Sequence, residues 1–427
     1  MPLHFDRVDS ALFDVYKVQT CSGKPLEVIT ASGGANYILP AGVAGDAFGR
    51  LRVSNPTTLF DSQHRYQEND KWSNVISGSA STTYVADESA VNLTVTAASG
   101  DAVYRESKKV FPYQPGKSLL VFASHSFADD QTNLRQRVGY FGTENGVYFE
   151  KDGEDLFFVL RSNVSGSVVN TRVAQTSWNG DKLDGNGASG VTLNASRANI
   201  LWMDLEWLGV GDVRCGFVIN GELILCHTFR NTNTNNSTYM TTAALPLRQE
   251  IETTDTVVSG TSAKQICNTV ISEGGYQVAG DTYSVDRGTT NASLDDAGTT
   301  YPVITLRLNS SRLDSVVVPQ AIEAVVTSNA NIRWSLIKNA TLSGASYSTH
   351  SNGNVDFDIT ATGLSGGTTV AAGYLEKRGQ INFSGPTDFT YQLGRTASGV
   401  SDTLTVAAEP TTNNTDVLFA VKWVEML

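Results

Sequence analysis

The Asn220-Gly221 pair is the strongest constraint in this chain. It stands between two apolar runs, Val213-Arg-Cys-Gly-Phe-Val-Ile219 and Glu222-Leu-Ile-Leu-Cys-His-Thr-Phe229. Both central positions of a two-residue type I′ turn need positive φ, and Asn-Gly accepts that at little cost. The two runs therefore predict an antiparallel hairpin. The preceding run, Arg197-Ala-Asn-Ile-Leu-Trp-Met-Asp-Leu-Glu-Trp-Leu-Gly209, alternates. Leu201, Met203, Leu205 and Trp207 share one strand face, and Asp204 and Glu206 share the other. Three antiparallel strands need another layer to cover their apolar face. The expectation is an all-β chain of β-sandwiches, jelly-roll or concanavalin-like in architecture.

Counting outward from the turn sets Ile219 against Glu222, Phe217 against Ile224, and Cys215 against Cys226. The pair beside a two-residue turn is hydrogen-bonded, and pairs alternate from there, so the cysteine pair is hydrogen-bonded too. Its Cβ atoms then lie farther apart than the roughly 3.8 Å a disulfide prefers, and reduced thiols are expected. The same count puts Val218, Leu223, Leu225 and Phe229 on the face opposite Phe217 and Ile224, so both faces are apolar. A sandwich strand usually shows water one polar face. The second face is therefore expected to lie under an N-terminal arm or a neighbouring subunit.

Composition agrees with strands and turns. Among 427 residues there are 38 Gly, and only 17% are charged. The formal charge of −12 argues against a nucleic-acid partner, which needs a basic face. No run approaches the roughly 18 apolar residues of a membrane span, so no membrane insertion is expected. The start, Met1-Pro-Leu-His-Phe-Asp-Arg7, lacks the pattern of a signal peptide, which predicts synthesis in a cytoplasm.

Four regions are expected. Residues 1–45 read as an N-terminal arm, with a short helical turn at Val8, Leu12, Val15 and Tyr16. Residues 46–275 read as a concanavalin-like sandwich and 276–300 as a linker or crossing segment, with a second sandwich over 301–427. Arg50, Arg52 and Arg65 concentrate positive charge in an acidic chain. They read either as surface ion pairs or as a docking segment for an acidic partner.

Candidate chemistry is sparse. The five His are not paired at metal-ligand spacing, and there is no Cys-x-x-Cys, Gly-x-Ser-x-Gly or P-loop. Asp204-x-Glu206 is the one enzyme-like pattern. Retaining glycosidases use two carboxylates about 5 Å apart. The competing reading is a pair of solvated residues on the wet side of a strand. The loop Asn179-Gly-Asp-Lys-Leu-Asp-Gly-Asn-Gly187 supplies oxygens from Asn179, Asp181, Asp184 and Asn186. They are candidate calcium ligands, although Asx and Gly also build turns without an ion. Trp178 beside them is a candidate glycan contact or a core anchor. No other cofactor is indicated.

Several blocks carry a family resemblance. They are Asp46-Ala-Phe-Gly-Arg-Leu-Arg-Val-Ser54, Gln175-Thr-Ser-Trp-Asn-Gly-Asp-Lys-Leu-Asp-Gly185, Trp202 through Gly216, and Gln265-Ile-Cys-Asn-Thr-Val-Ile-Ser-Glu-Gly-Gly275. Trp334, Thr341-Leu-Ser-Gly-Ala345, Ser365-Gly-Gly367, Ser401-Asp-Thr-Leu404 and Trp423-Val-Glu425 continue the pattern. Together they resemble virion structural proteins of tailed bacteriophages, marine and cyanophage-like ones especially. The resemblance implies a non-enzymatic component of the tail, tail fibre or a head appendage such as a capsid decoration. It also implies assembly, surface display and a place in the virion. The implied partners are other virion proteins and further copies of the chain, with a trimer among the open symmetries. A lectin-like adhesin for host-surface glycans is the alternative, with a glycan-degrading enzyme behind it.

Overall fold

The computed structural model describes the backbone of residues 5–10, 13–19, 25–31, 36–40, 55–328, 330–376, 378–382 and 390–426. The chain divides into two compact units, Met1–Asn55 and Pro56–Leu427. In the first unit, strands β1 (Phe5–Ser10), β2 (Phe13–Gln19), β3 (Pro25–Ala31) and β4 (Asn36–Pro40) form an antiparallel sheet in sequence order. Of the residues expected to form a helical turn, Val8, Val15 and Tyr16 lie in these strands, and Leu12 lies outside the described residues. Runs such as Phe13-Asp-Val-Tyr-Lys-Val are rich in β-branched and aromatic residues, which suit a pleated surface.

The second unit begins with a sandwich of two large sheets. Its strands are β5 (Thr57–Ser62), β6 (Trp72–Ser77), β7 (Ser81–Val85), β8 (Ala90–Val95), β9 (Ala102–Ser107), β10 (Phe111–Pro112), β11 (Leu119–Ser126) and β12 (Leu134–Phe141). Then come β13 (Gly146–Asp152), β14 (Asp155–Ser162), β15 (Val169–Ala174), β16 (Asn199–Leu205), β17 (Val213–Ile219), β18 (Glu222–Phe229), β19 (Ala244–Leu245), β20 (Leu247–Thr253) and β21 (Thr261–Ser272). One sheet runs β18-β17-β16-β11-β21-β8-β7, with β5 also on β21. The other runs β15-β14-β13-β12-β20-β9-β6. The fold class is therefore the expected one. The segments containing β20 and β21 come late in this region yet lie inside the sheets, β20 between β12 and β9 and β21 between β11 and β8.

Alternation fixes which side chains enter the core. On β11, Leu119, Val121 and Ala123 point inward. They meet Val138, Phe149 and Phe158 from the opposite sheet, and Leu201, Met203, Leu205 and Phe217 from their own. Phe149 packs edge-on to Phe217 at 5.0 Å and stacks on Phe127 at 5.4 Å. The outer face of the second sheet is a ladder of charge. Arg137 donates to Glu150 (2.6 Å), Glu250 (2.7 Å) and Glu252 (3.0 Å), and Arg248 reaches Glu106 (2.8 Å).

A second sandwich follows. One sheet joins Asp281–Asp286, Thr415–Met426, Val316–Val326 and Arg378–Asn382, and the other centres on Tyr301–Leu308, Thr403–Pro410 and Asn331–Lys338. Residues 276–300, read above as a linker or crossing segment, contribute Asp281–Asp286 and Ala292–Leu294 to it, both paired with Thr415–Met426. Val285 and Leu294 anchor those strands in the core, which a polar composition had obscured. Val110, Tyr276, Val316 and Met426 pack together where the two sandwiches meet, and Arg395 pairs with Glu106 there.

Candidate functional site

The hairpin forms as expected at its tip. Asn220 and Gly221 have φ of 54° and 83°, and Ile219 pairs with Glu222. Farther from the tip the register slips. Gly216 pairs with Leu225, but Cys215 pairs with His227, leaving Cys226 as the extra residue of a β-bulge. The expected Cys215–Cys226 opposition is thus corrected. Both cysteines are buried and free. Burial pushes the Cys226 thiol up to about 12, and raises Cys215 as well. The bulge also reverses side-chain parity, so Phe229 enters the core instead of sharing the outer face with Leu223 and Leu225. Those two leucines are exposed on the single chain, Leu223 at 56% and Leu225 at 39%.

The loop after Trp178 seals part of the β18 edge. Gly180 N donates to the Cys226 carbonyl at 2.8 Å, and Asp181 N donates to the Leu225 carbonyl at 2.9 Å. Asn179 exchanges two bonds with Thr228, each 2.8 Å. A Cβ on Gly180 would lie 2.4 Å from the Leu225 oxygen, so only glycine permits this approach. The candidate calcium ligands are divided among such tasks. The Asp181 carboxylate accepts from Leu183 N (2.9 Å) and Ser189 N (2.7 Å), while Asp184 accepts from Asn186 N (2.9 Å). Burial acts to raise the Asp181 pKa, but these backbone donors outweigh it and hold it below the usual value. Among the described residues, no group of three or more His, Cys, Asp or Glu is arranged to hold a metal.

Trp178 is 2% exposed and packs 4.6 Å from Phe158, with Nε1 donating to the Val173 carbonyl at 3.1 Å. It is a core anchor and has no open ring face for a sugar. Arg65 is exposed, its guanidinium 5.4 Å from the centre of the Tyr66 ring, which is itself 85% exposed. Arg50 and Arg52 lie outside the described residues.

The carboxylate pair has a different setting from the expected wet face. Asp204 is only 5% exposed and pairs with Arg214 across from it on β17. The strand lies between β11 and β17, and the Arg214 side chain, 57% exposed, extends over the carboxylate. Burial raises the Asp204 pKa, and Arg214 opposes the rise. Glu206 follows the end of β16 and is exposed.

Both carboxylates line a cleft of about 500 Å³ with Tyr113, Lys117, Asp212 and Arg214. Asp212 is engaged by Asn231 N at 2.8 Å, and Ser118 Oγ donates to Glu273 at 2.6 Å. Tyr113 packs edge-on to Trp207 at 6.0 Å, and burial raises its phenol pKa. Leu208 forms part of the rim with φ of 38°, a strained value for a branched side chain. Sequence reasoning found Asp204 and Glu206 but missed Tyr113, Lys117 and Arg214. These come from separate segments and carry no shared motif.

No protein-family model and no curated protein sequence matches the chain. Solved structures of similar architecture include the carbohydrate recognition domain of Emp47p, 9% identical over 53% of this chain and 99% of that one, with a TM-score of 0.33. A Bacillus licheniformis β-glucanase is 12% identical over 51% of this chain and 99% of its own, with a TM-score of 0.32. A legume lectin-like domain from Entamoeba histolytica is 10% identical over 48% and 91%, with a TM-score of 0.27. Likeness at this level transfers no residue role. No helix among the described residues is long and apolar enough to cross a membrane.

Proposed function

We propose that this chain is a structural component of a tailed-bacteriophage virion, working in assembly and surface display without catalysing a reaction. The observation behind this reading is where the resembling blocks fall. Trp202 through Gly216 spans the end of β16 and the start of β17, and Gln265 through Gly275 includes most of β21. Gln175 through Gly185 contains the core anchor Trp178 and the segment that seals the β18 edge. These three blocks combine core strands with cleft residues of the first sandwich, whereas residues 341–345 and 365–367 lie largely exposed in the second. Commitment of the Asp204 carboxylate to Arg214 supports a non-catalytic role. Immunogold labelling of intact virions tests the reading. Label at a fixed virion position is expected, and absence of the protein from purified virions overturns it.

The cleft supports a second reading, glycan binding. Its exposed Glu206 carboxylate is suited to accept hydrogen bonds from sugar hydroxyls and Lys117 to donate them, and Tyr113 offers an aromatic surface. A glycan array with wild type and Tyr113→Ala decides it. A signal that falls in the variant supports the reading, and an empty array removes it. Polysaccharide depolymerisation by wild type, lost in Asp204→Asn and Glu206→Gln, would overturn the non-catalytic assignment.

A further inference from the structure

The interior of the first sandwich is split by a polar layer. One hydrophobic cluster surrounds Phe149, Met203 and Phe217, and another surrounds Val91, Leu93 and Ile251. On β20, Gln249 separates Leu247 of the first cluster from Ile251 of the second. On β12, Gln136 separates Val138 from Leu134 in the same way. Arg105 on β9 pairs in register with Gln249, and His125 on β11 pairs with Gln265 on β21. The two pairs belong to opposite sheets. Arg105 Nε donates across to Gln265 Oε1 at 2.6 Å, and Gln249 Nε2 donates to the Lys264 carbonyl at 3.1 Å.

Arg105, His125, Gln249 and Gln265 are almost wholly buried, and each has one polar atom that no described group meets. The roles of those atoms follow from their neighbours. His125 Nδ1 lies 3.2 Å from the Ala123 carbonyl, which only accepts, so Nδ1 carries the proton and Nε2 is left as an acceptor. His64 Nδ1 accepts from Asn69 N, so its Nε2–H donates to Gln265 Oε1 at 3.2 Å. That oxygen is thereby fully used, and Gln265 Nε2 is a free donor. The open set is two donors, Arg105 Nη2 and Gln265 Nε2, and two acceptors, Gln249 Oε1 and His125 Nε2. An anion suits only the donors and a metal cation only the acceptors. Water serves both, and ordered water is the usual partner of buried polar groups that the protein itself leaves unmet.

We propose that ordered water bridges the two sheets at this layer, completing a hydrogen-bonded partition between the two apolar clusters. The partition also fixes how the sheets face each other. Sliding one sheet by a residue pair would set Gln249 and Gln265 against apolar neighbours.

Three measurements on the full chain test this. A crystal structure that resolves solvent should place water within hydrogen-bonding distance of Arg105 Nη2 and Gln249 Oε1. Direct protein partners for both atoms, or solvent-free contact between them, would overturn the proposal. In solution, ¹⁷O magnetic relaxation dispersion should detect long-lived internal water that decreases in Gln249→Met and persists in Gln249→Glu, which keeps the acceptor. Gln249→Met should also raise the unfolding equilibrium constant roughly tenfold or more. An unchanged relaxation amplitude in Gln249→Met sinks the idea. Should that variant fail to fold, the wild-type crystal decides alone.

Discussion

Cys215 stands opposite His227, and Cys226 occupies the bulge beside them. One inserted residue therefore decides both the environment of the thiols and the inward turn of Phe229. Mass spectrometry of the protein purified without reductant should find no Cys215–Cys226 cross-link. Thiol reagents should modify both residues only after unfolding, because burial holds the thiols protonated. Recovery of a cross-linked peptide would contradict the free-thiol arrangement.

The edge seal at Gly180 depends on the missing side chain. Gly180→Ala would bring a methyl group to 2.4 Å from the Leu225 oxygen and force the loop off β18. A loss of about 1–3 kcal/mol is expected from urea unfolding, the scale of overpacking a tight site. A loss near zero would mean that the loop is not held there.

Trp178 supports the same loop from inside. Trp178→Ala should cost about 3–5 kcal/mol, as removal of a large buried aromatic does. Its effect should appear in unfolding midpoints and not in glycan arrays, since the ring is enclosed. Selective loss of glycan signal at unchanged stability would restore the sugar-contact reading.

The charge ladder predicts an asymmetric mutational response. Arg137→Met removes one of two arginine partners from each of the buried Glu150 and Glu250, which keep Arg172 and Arg248, and should cost about 1–3 kcal/mol. Arg214→Ala strands one buried carboxylate, Asp204, whereas Asp204→Asn leaves Arg214 free to hydrate. Chemical denaturation should therefore find Arg214→Ala the more destabilising of those two.

Acid should weaken the fold through its buried histidines. Burial lowers the His125 pKa from 6.5 to about 4, and lowers His64 in the same sense. The unfolded chain then binds more protons than the folded one. The stabilisation is fully present above pH 6.5 and is lost as pH falls toward about 4. For His125 it amounts to roughly 3 kcal/mol. Stability measured across this range should slope downward with acidification, and His125→Gln should flatten the slope. An unchanged slope in that variant would remove His125 as the cause.

Local pattern carried much of the fold. The alternation in Leu201-Trp-Met-Asp-Leu205 marks a strand and its buried side, and Asn220-Gly221 marks the turn, because both signals act over a few residues. The bulge at Cys226 is not marked in this way. It arises where the chain leaves the turn's register and meets the carbonyl-seeking loop at Gly180. The strands within residues 276–300 were hidden for a related reason, since Val285 and Leu294 become core only after Thr415–Met426 arrives beside them.

The candidate site was legible only in its carboxylates. Asp204 and Glu206 are two residues apart, whereas Tyr113, Lys117 and Arg214 reach the same cleft from other strands and loops. By itself the sequence determined that the chain is all-β, that Leu201, Met203 and Leu205 share one face, and that a hairpin closes at Asn220-Gly221. Tertiary structure decided that Asp204 is buried beside Arg214, that Trp178 is enclosed, and that Arg105 crosses the core to Gln265. Those outcomes depend on desolvation and pairing between distant segments, and spacing along the chain carries no record of either.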